Sequence, residues 1–159
     1  MKTVLLIVSF LSAATIGSSY DKRMAHVVEQ LRDLQEIGGA AVGYAGTPHD
    51  FYLLYRYSWY ACTDQDLAEM LHDHSATVRL MGAKCLLTST FRKVDRSLLN
   101  SLDSDTTKIV VGPSGCVFTE MTVADVMTAL RKNPDYLGPR EPRPNHTAEP
   151  VSPSRAGSP

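Results

Sequence analysis

The prolines of this chain are concentrated at one end, since six of the nine lie in the last 21 of its 159 residues. A proline has no amide hydrogen to give to a helix or a sheet, so a dense group of them disfavours both. Beyond Leu137 the chain also has almost no apolar side chains, and Pro, Ser, Arg and Glu are frequent, as in disordered or polyproline II segments. We therefore expect residues 138–159 to form a disordered, Pro-rich tail, in which Asn145-His146-Thr147 is an N-glycosylation acceptor sequence.

The first 19 residues have the order of a secretory signal peptide: Lys2, then an apolar run from Val4 to Ile16, then small residues. This run is shorter than the roughly 20 residues that cross a bilayer, and a retained N-terminal anchor is the alternative. No cysteine lies near the expected cleavage points after Ala14 or Ser19, so lipidation is not expected there. The sequence predicts an exported protein, secreted or periplasmic, without a stable membrane anchor, and leaves residues 20–137 to fold as one domain.

The balance of charges limits the partners that this domain can have. The chain carries 16 Lys+Arg and 17 Asp+Glu, which gives a formal net charge of −1. Binding to nucleic acid or to anionic membranes needs a clustered excess of positive charge. Neither is therefore predicted as a partner.

The three cysteines, Cys62, Cys85 and Cys116, permit at most one disulfide within the chain. They form no CxxC motif and have no histidine at a metal-ligand spacing, so we expect two or three of them to be small buried hydrophobic residues. The sequence leaves open whether any two of them are paired.

Apolar residues spaced by three and four predict a helix from Asp21 to Ile37, which Gly38-Gly39 would end. Thr47-Pro48 is a typical start for a second helix that runs to about Ala61. This second helix is rich in aromatic residues, which either pack in the core or form a protein-binding surface. The residues of that candidate interaction surface are Tyr52, Tyr55, Tyr57 and Trp59.

Two further helices are predicted on either side of a short break at residues 72–75, and so close a connection makes them antiparallel. The first begins at Thr63, where Thr-Asp-Gln-Asp is similar to a capping box. The second runs from Ala76 to about Thr88. A shift of 31 residues aligns LAEMLHDHSATV (67–78) with LLNSLDSDTTKI (98–109), an internal repeat that decays afterwards.

After this repeat, the sequence Gly112-Pro113-Ser114-Gly115 predicts a turn between two short β-prone flanks. We therefore expect a small β-hairpin near 109–118. Thr122, with Asp125 three residues later, then caps a last helix that ends at Asn133-Pro134.

Residues 67–87 (LAEMLHDHSATVRLMGAKCLL) resemble a HEAT repeat, and Asp73, Val78 and Arg79 carry most of the likeness. A wider stretch, 42–126, is similar to a group of exported bacterial proteins with HEAT-like helices and no assigned activity. The segments that carry this second likeness are GYAGTPHDFYLLYR, DLAEMLHDHSATVRLMGAKCLL and SGCVFTEMTVADV.

This resemblance implies an all-α, armadillo-type fold of stacked HEAT-like α-hairpins, either a short α-solenoid or a compact helical domain. It also implies a structural role for Asp73 and Arg79, which in such repeats tie the turn between the two helices to neighbouring repeats. It transfers no catalytic residue.

The residues best suited to metal binding or acid–base chemistry are His72-Asp73-His74, with His49-Asp50 elsewhere. His72 and His74 are two residues apart, which does not put both on one helix face, and no HExxH or GxSxG motif is present. A solvated turn is the simpler interpretation, so no cofactor, metal or catalytic residue is predicted.

We predict an exported, non-enzymatic protein-interaction or scaffold module with an unknown protein partner. The alternative is a small secreted or periplasmic hydrolase or metal-dependent enzyme that uses the His72-Asp73-His74 turn.

Overall fold

The computed structural model describes residues 20–139. The predicted signal peptide (1–19) and the tail residues 140–159, with Asn145, lie outside the described residues. Within 20–139, no helix combines the length and the apolar composition needed to cross a membrane. The elements are α1 (Lys22–Asp33), β1 (Glu36–Gly38), α2 (Asp50–Ala61), α3 (Asp64–Leu71), α4 (Ala76–Leu87), a 3₁₀ helix (Arg96–Ser104), β2 (Lys108–Gly112), β3 (Thr119–Thr122) and α5 (Val123–Lys132).

The fold is mixed α/β, so the prediction of an all-α stack of HEAT-like hairpins is wrong. Within residues 20–139, six helices pack with one sheet of three strands in the order β1-β2-β3. β1 runs parallel to β2, with Ile37 opposite Val111, and β2 runs antiparallel to β3, with Val110 opposite Glu120. Over the described residues, the chain therefore forms neither an α-solenoid nor an all-helical domain.

The first helix is shorter than its apolar spacing predicted. α1 ends at Asp33, and Leu34 leaves it in an extended conformation with φ −70° and ψ 125°. Ile37, which the spacing placed on the helix, is instead a fully buried residue of β1. Its strand partner, Val111, is far away in the sequence. A local pattern cannot reveal a partner at that distance, so the parallel pair was missed.

The β-hairpin expected near 109–118 is present, but its second strand is displaced. β3 covers Thr119–Thr122 rather than 116–118, and residues 113–118 form a longer connection that meets the segment after β1. The amide of Gly39 donates to the carbonyl oxygen of Gly112 at 3.0 Å, and a Cβ on Gly39 would clash with the carbonyl oxygen of Pro113. A side chain is excluded at this glycine because two loops meet there, not because it ends a helix.

α3 and α4 form the helical hairpin expected between residues 63 and 88. Thr63 and Asp66 make the reciprocal bonds of a capping box at the start of α3, and Thr122 and Asp125 do the same for α5. The internal repeat does not continue as a second hairpin. The 3₁₀ helix packs on α5, and β2 follows where a partner helix would begin.

α4 lies at the centre of the domain. Nine of its twelve residues are buried, so it has no polar face of the kind that a surface helix carries. It packs against α1, α2, α3, α5 and β2. The other elements therefore form a shell around this helix.

Replacing Ile37 by alanine is expected to lower the free energy of unfolding by about 2–4 kcal/mol, because its side chain is fully buried. Urea denaturation followed by circular dichroism measures this. Val117→Ala is the control, since that side chain is 70% exposed, and it should change the free energy by less than about 0.5 kcal/mol. Equal effects of the two substitutions would contradict the position of Ile37 in the sheet.

Candidate functional site

The carboxylate of Asp73, in the turn between α3 and α4, is used to hold the structure together. Its Oδ2 lies 2.6 Å from Nη2 of Arg32 on α1, and its Oδ1 accepts the amide of Ser75 at 2.8 Å. Burial acts to raise the pKa of Asp73, but the hydrogen bonds from Arg32 and Ser75 outweigh it, so the pKa lies below its ordinary value. The group is therefore a charged anchor between α1 and the turn.

Arg79 ties the same turn to another part of the domain. Its Nη1 donates to the carbonyl oxygens of Asp73 and His74, both at 2.8 Å. Its Nη2 and Nε donate to Oδ2 of Asp105, just after the 3₁₀ helix, at 2.6 and 3.1 Å. Val78 beside it is fully buried. All three residues singled out by the repeat-like motif thus serve packing or the connection between elements.

The histidines of the turn do not converge on a ligand site. His72 and His74 are exposed, and only His74 approaches Asp73, with Nδ1 3.4 Å from Oδ1. His49 lies elsewhere, where its Nδ1 accepts the amide of Phe51 and so caps α2. Between residues 20 and 139, no group of three His, Cys, Asp or Glu side chains is placed to hold a metal ion.

The three cysteines are free thiols, and two of them are enclosed. Cys62 and Cys85 are buried, whereas Cys116 is exposed. The sulfur of Cys62 lies 3.7 Å from that of Met24, and burial raises the pKa of this thiol to about 12. Burial also raises the pKa of Cys85. Neither buried thiol is suited to act as a nucleophile near neutral pH.

The four aromatic residues of the candidate interaction surface are divided between the two sides of α2. Tyr52, Tyr55 and Trp59 are buried, and the hydroxyl of Tyr55 donates to Oγ1 of Thr88 at 3.0 Å. Only Tyr57 is exposed, at 45%. The first three therefore pack in the core, and Tyr57 is the one that a partner can reach.

Lys84, in the middle of α4, is a buried charge that sequence reasoning missed. Its side chain is fully enclosed, with Nζ donating to the carbonyl oxygens of Pro134 and Gly138 at 3.1 and 3.0 Å. The ammonium also lies 4.4 Å from the centre of the Tyr55 ring. Burial lowers the pKa of Lys84 to about 8. The available signal was a lone lysine in an otherwise apolar stretch, Leu80 to Leu87.

An open groove lies between α1 and α2, and we call it the α1–α2 groove. Its apolar floor is made by Val27 of α1 and by Leu53, Leu54 and Tyr57 of α2. Leu53 is 44% exposed, a large fraction for a leucine that faces a groove. These side chains form a continuous apolar strip rather than isolated contacts with solvent.

The two ends of the α1–α2 groove carry opposite charges. Arg23 and His26 line the end near the start of α1. Asp33 and Asp50 line the other end, where α1 finishes and α2 begins. All four side chains are exposed. The groove is therefore apolar in the middle, basic at one end and acidic at the other.

The apolar strip continues beyond the groove along the outer face of α2. Leu53, Tyr57 and Tyr60 follow each other at spacings of four and three, so they share one face of the helix. Tyr60 is 49% exposed. Phe91 extends the strip, because its ring and that of Tyr60 both make edge contacts with Trp59, at 5.6 and 4.8 Å.

Comparison with known protein families and with curated proteins finds no match to this chain.

Replacing Asp73 by asparagine is expected to lower the free energy of unfolding by about 1–3 kcal/mol at pH 7, since Arg32 loses a partly buried charged partner. Because the pKa of Asp73 is depressed in the folded chain, its contribution is complete above the unfolded pKa near 3.9 and is lost as the pH falls. The difference between wild type and variant, measured by urea denaturation, should therefore shrink towards pH 2. The double variant His72→Ala, His74→Ala should stay within about 0.5 kcal/mol of wild type, and a large loss there would contradict the structural interpretation of the turn.

A pH series on Lys84→Met tests the buried ammonium. From pH 8 to pH 10 the unfolded chain, whose lysines titrate near 10.4, binds more protons at position 84 than the folded chain does. The free energy of unfolding of wild type should therefore rise relative to the variant, by ~2 kcal/mol over this range. Leu80→Ala, equally buried but without a titrating group, should differ from wild type by a constant amount. A constant difference for Lys84→Met as well would refute the lowered pKa.

Proposed function

We propose that this chain is a non-enzymatic protein-interaction module, and that the α1–α2 groove is its docking surface. The observation that carries the proposal is the exposed apolar strip of Leu53, Tyr57 and Tyr60 on the outer face of α2, bordered by charged residues. Exposed apolar strips rimmed by polar groups are typical of protein contact sites, and tyrosine is enriched at such sites.

The shape of the groove favours a helical partner surface. Two neighbouring helices present rows of apolar side chains, and a helical partner surface packs against these rows with its own apolar residues at spacings of three and four. The charged ends at Arg23 and Asp33 would then fix the direction of that partner, because each end repels one sign of charge. We propose that the module acts after export, which the apolar run Val4–Ile16 favours.

The test is photo-crosslinking with benzoylphenylalanine placed at Leu53 or, as a control, at Val117, which is an exposed apolar residue of the 113–118 loop. The full chain is expressed in cells, irradiated and analysed by mass. A discrete adduct at position 53 is expected, with none at position 117. The Tyr57→Ser substitution should weaken the adduct severalfold, because it removes the aromatic side chain that borders position 53.

The absence of a discrete adduct at position 53 would overturn the proposal. So would an adduct of the same yield at position 117, because the reaction would then report exposure alone. Circular dichroism of each variant establishes that the chain has folded before it is compared.

A further inference from the structure

The opposite charges at the two ends of the α1–α2 groove make this surface complementary to itself. Consider a twofold axis that lies in the plane of contact and runs perpendicular to the long direction of the groove. It turns the second copy end to end, so that the basic end of one copy meets the acidic end of the other. In this arrangement Arg23 of each copy faces Asp33 of the other, and the apolar middles around Leu53 cover each other. We propose that the partner of the α1–α2 groove is a second copy of this chain, in a twofold symmetric dimer. This inference rests on the proposed function and names the partner.

The alternatives are less complementary to the surface. A peptide carrying a single sign of charge would be attracted to one end of the groove and repelled by the other. A second copy placed in the parallel direction would set Arg23 against Arg23 and Asp33 against Asp33. Only the reversed orientation pairs both ends, and the near-neutral net charge of −1 adds little repulsion between two copies.

The dimensions of the surface set the expected strength of the dimer. α1 and α2 have 12 residues each, and a helix of that length is about 18 Å long and ~10 Å wide. Two such helices side by side offer a face of about 400 Å², to which Phe91, outside both helices, adds. This is smaller than the roughly 800 Å² per partner of a standard stable interface. We therefore expect a dimer that dissociates on dilution through the micromolar range.

Sedimentation velocity of the purified chain, expressed with its own N-terminal segment, measures the assembly between about 1 and 200 µM. Wild type is expected to change from monomer to dimer as the concentration rises. Leu53→Asp should remain a monomer throughout, because it buries a charge in the apolar middle. Val117→Asp, an equally polar change at an exposed residue outside the groove, should dimerise as wild type does.

A pair of charge reversals tests the orientation. In a dimer of the Arg23→Glu variant, the new glutamate of each copy faces Asp33 of the other. In a dimer of the Asp33→Lys variant, the new lysine of each copy faces Arg23 of the other. Each variant thus has two like-charged contacts, which should weaken self-association roughly tenfold. In a mixture of the two variants, the introduced glutamate of one copy meets the introduced lysine of the other, and the native Arg23–Asp33 contact is restored on the other side. The mixture should therefore dimerise about as well as wild type. Both positions lie at helix ends where the new charge favours the helix dipole, so the fold is kept.

Several outcomes would overturn the dimer. Wild type that stays monomeric at 200 µM, Leu53→Asp that dimerises normally, or a mixture that is no stronger than its components would each do so. These results are distinguishable from a failure of the proposed function. If position 53 crosslinks to a different protein while the purified chain stays monomeric, the groove is a docking surface and only the dimer is refuted.

Discussion

The burial of α4 on every side is the constraint on which the rest of the structure depends. A helix without a polar face must be enclosed, and α1, α2, α3, α5 and β2 together enclose it. Small residues make the tightest of these contacts possible. A Cβ on Gly82 would lie 3.0 Å from the Cβ of Met70, so the absence of a side chain there allows α3 to approach closely. The sheet contributes to the same shell through the contact of β2 with α4.

The enclosure of α4 also accounts for the path of the residues that follow α5. Lys84 has no route to solvent, and a buried ammonium is costly unless its hydrogen bonds are satisfied. The residues after α5 supply them, with the carbonyl oxygens of Pro134 and Gly138. Gly138 has φ of 98°, and a Cβ there would clash with the ring of Tyr52. The segment is therefore fitted to the core, and the hydrogen bonds from Nζ of Lys84 hold it there.

The sequence was sufficient to predict those features that depend on interactions between residues close together in the chain. The capping residues Thr63 and Thr122 begin helices because their side chains bond amides within three residues. The strand β1 was beyond such reasoning, because Ile37 continues the apolar spacing of α1 and only its pairing with Val111 makes it a strand. The internal repeat was misleading for the same reason. Its second copy contains Ile109, which pairs in the sheet rather than in a helical hairpin.

The sequence was sufficient to predict that α2 is a helix, but not which of its side chains are exposed. The aromatic composition of α2 marks it as unusual, yet it does not reveal that Tyr55 faces inwards and Tyr57 outwards. That division depends on where α4 lies, which is a property of the tertiary fold. With α4 in its observed position, α2 has large apolar side chains on two sides. Tyr55 is on the side packed on the core, and Leu53 and Tyr57 are on the side open to solvent. Leu53 and Tyr57 are therefore left on an exposed face of α2 because the opposite side of this helix packs on the core, and it is this exposed face on which the proposed docking rests.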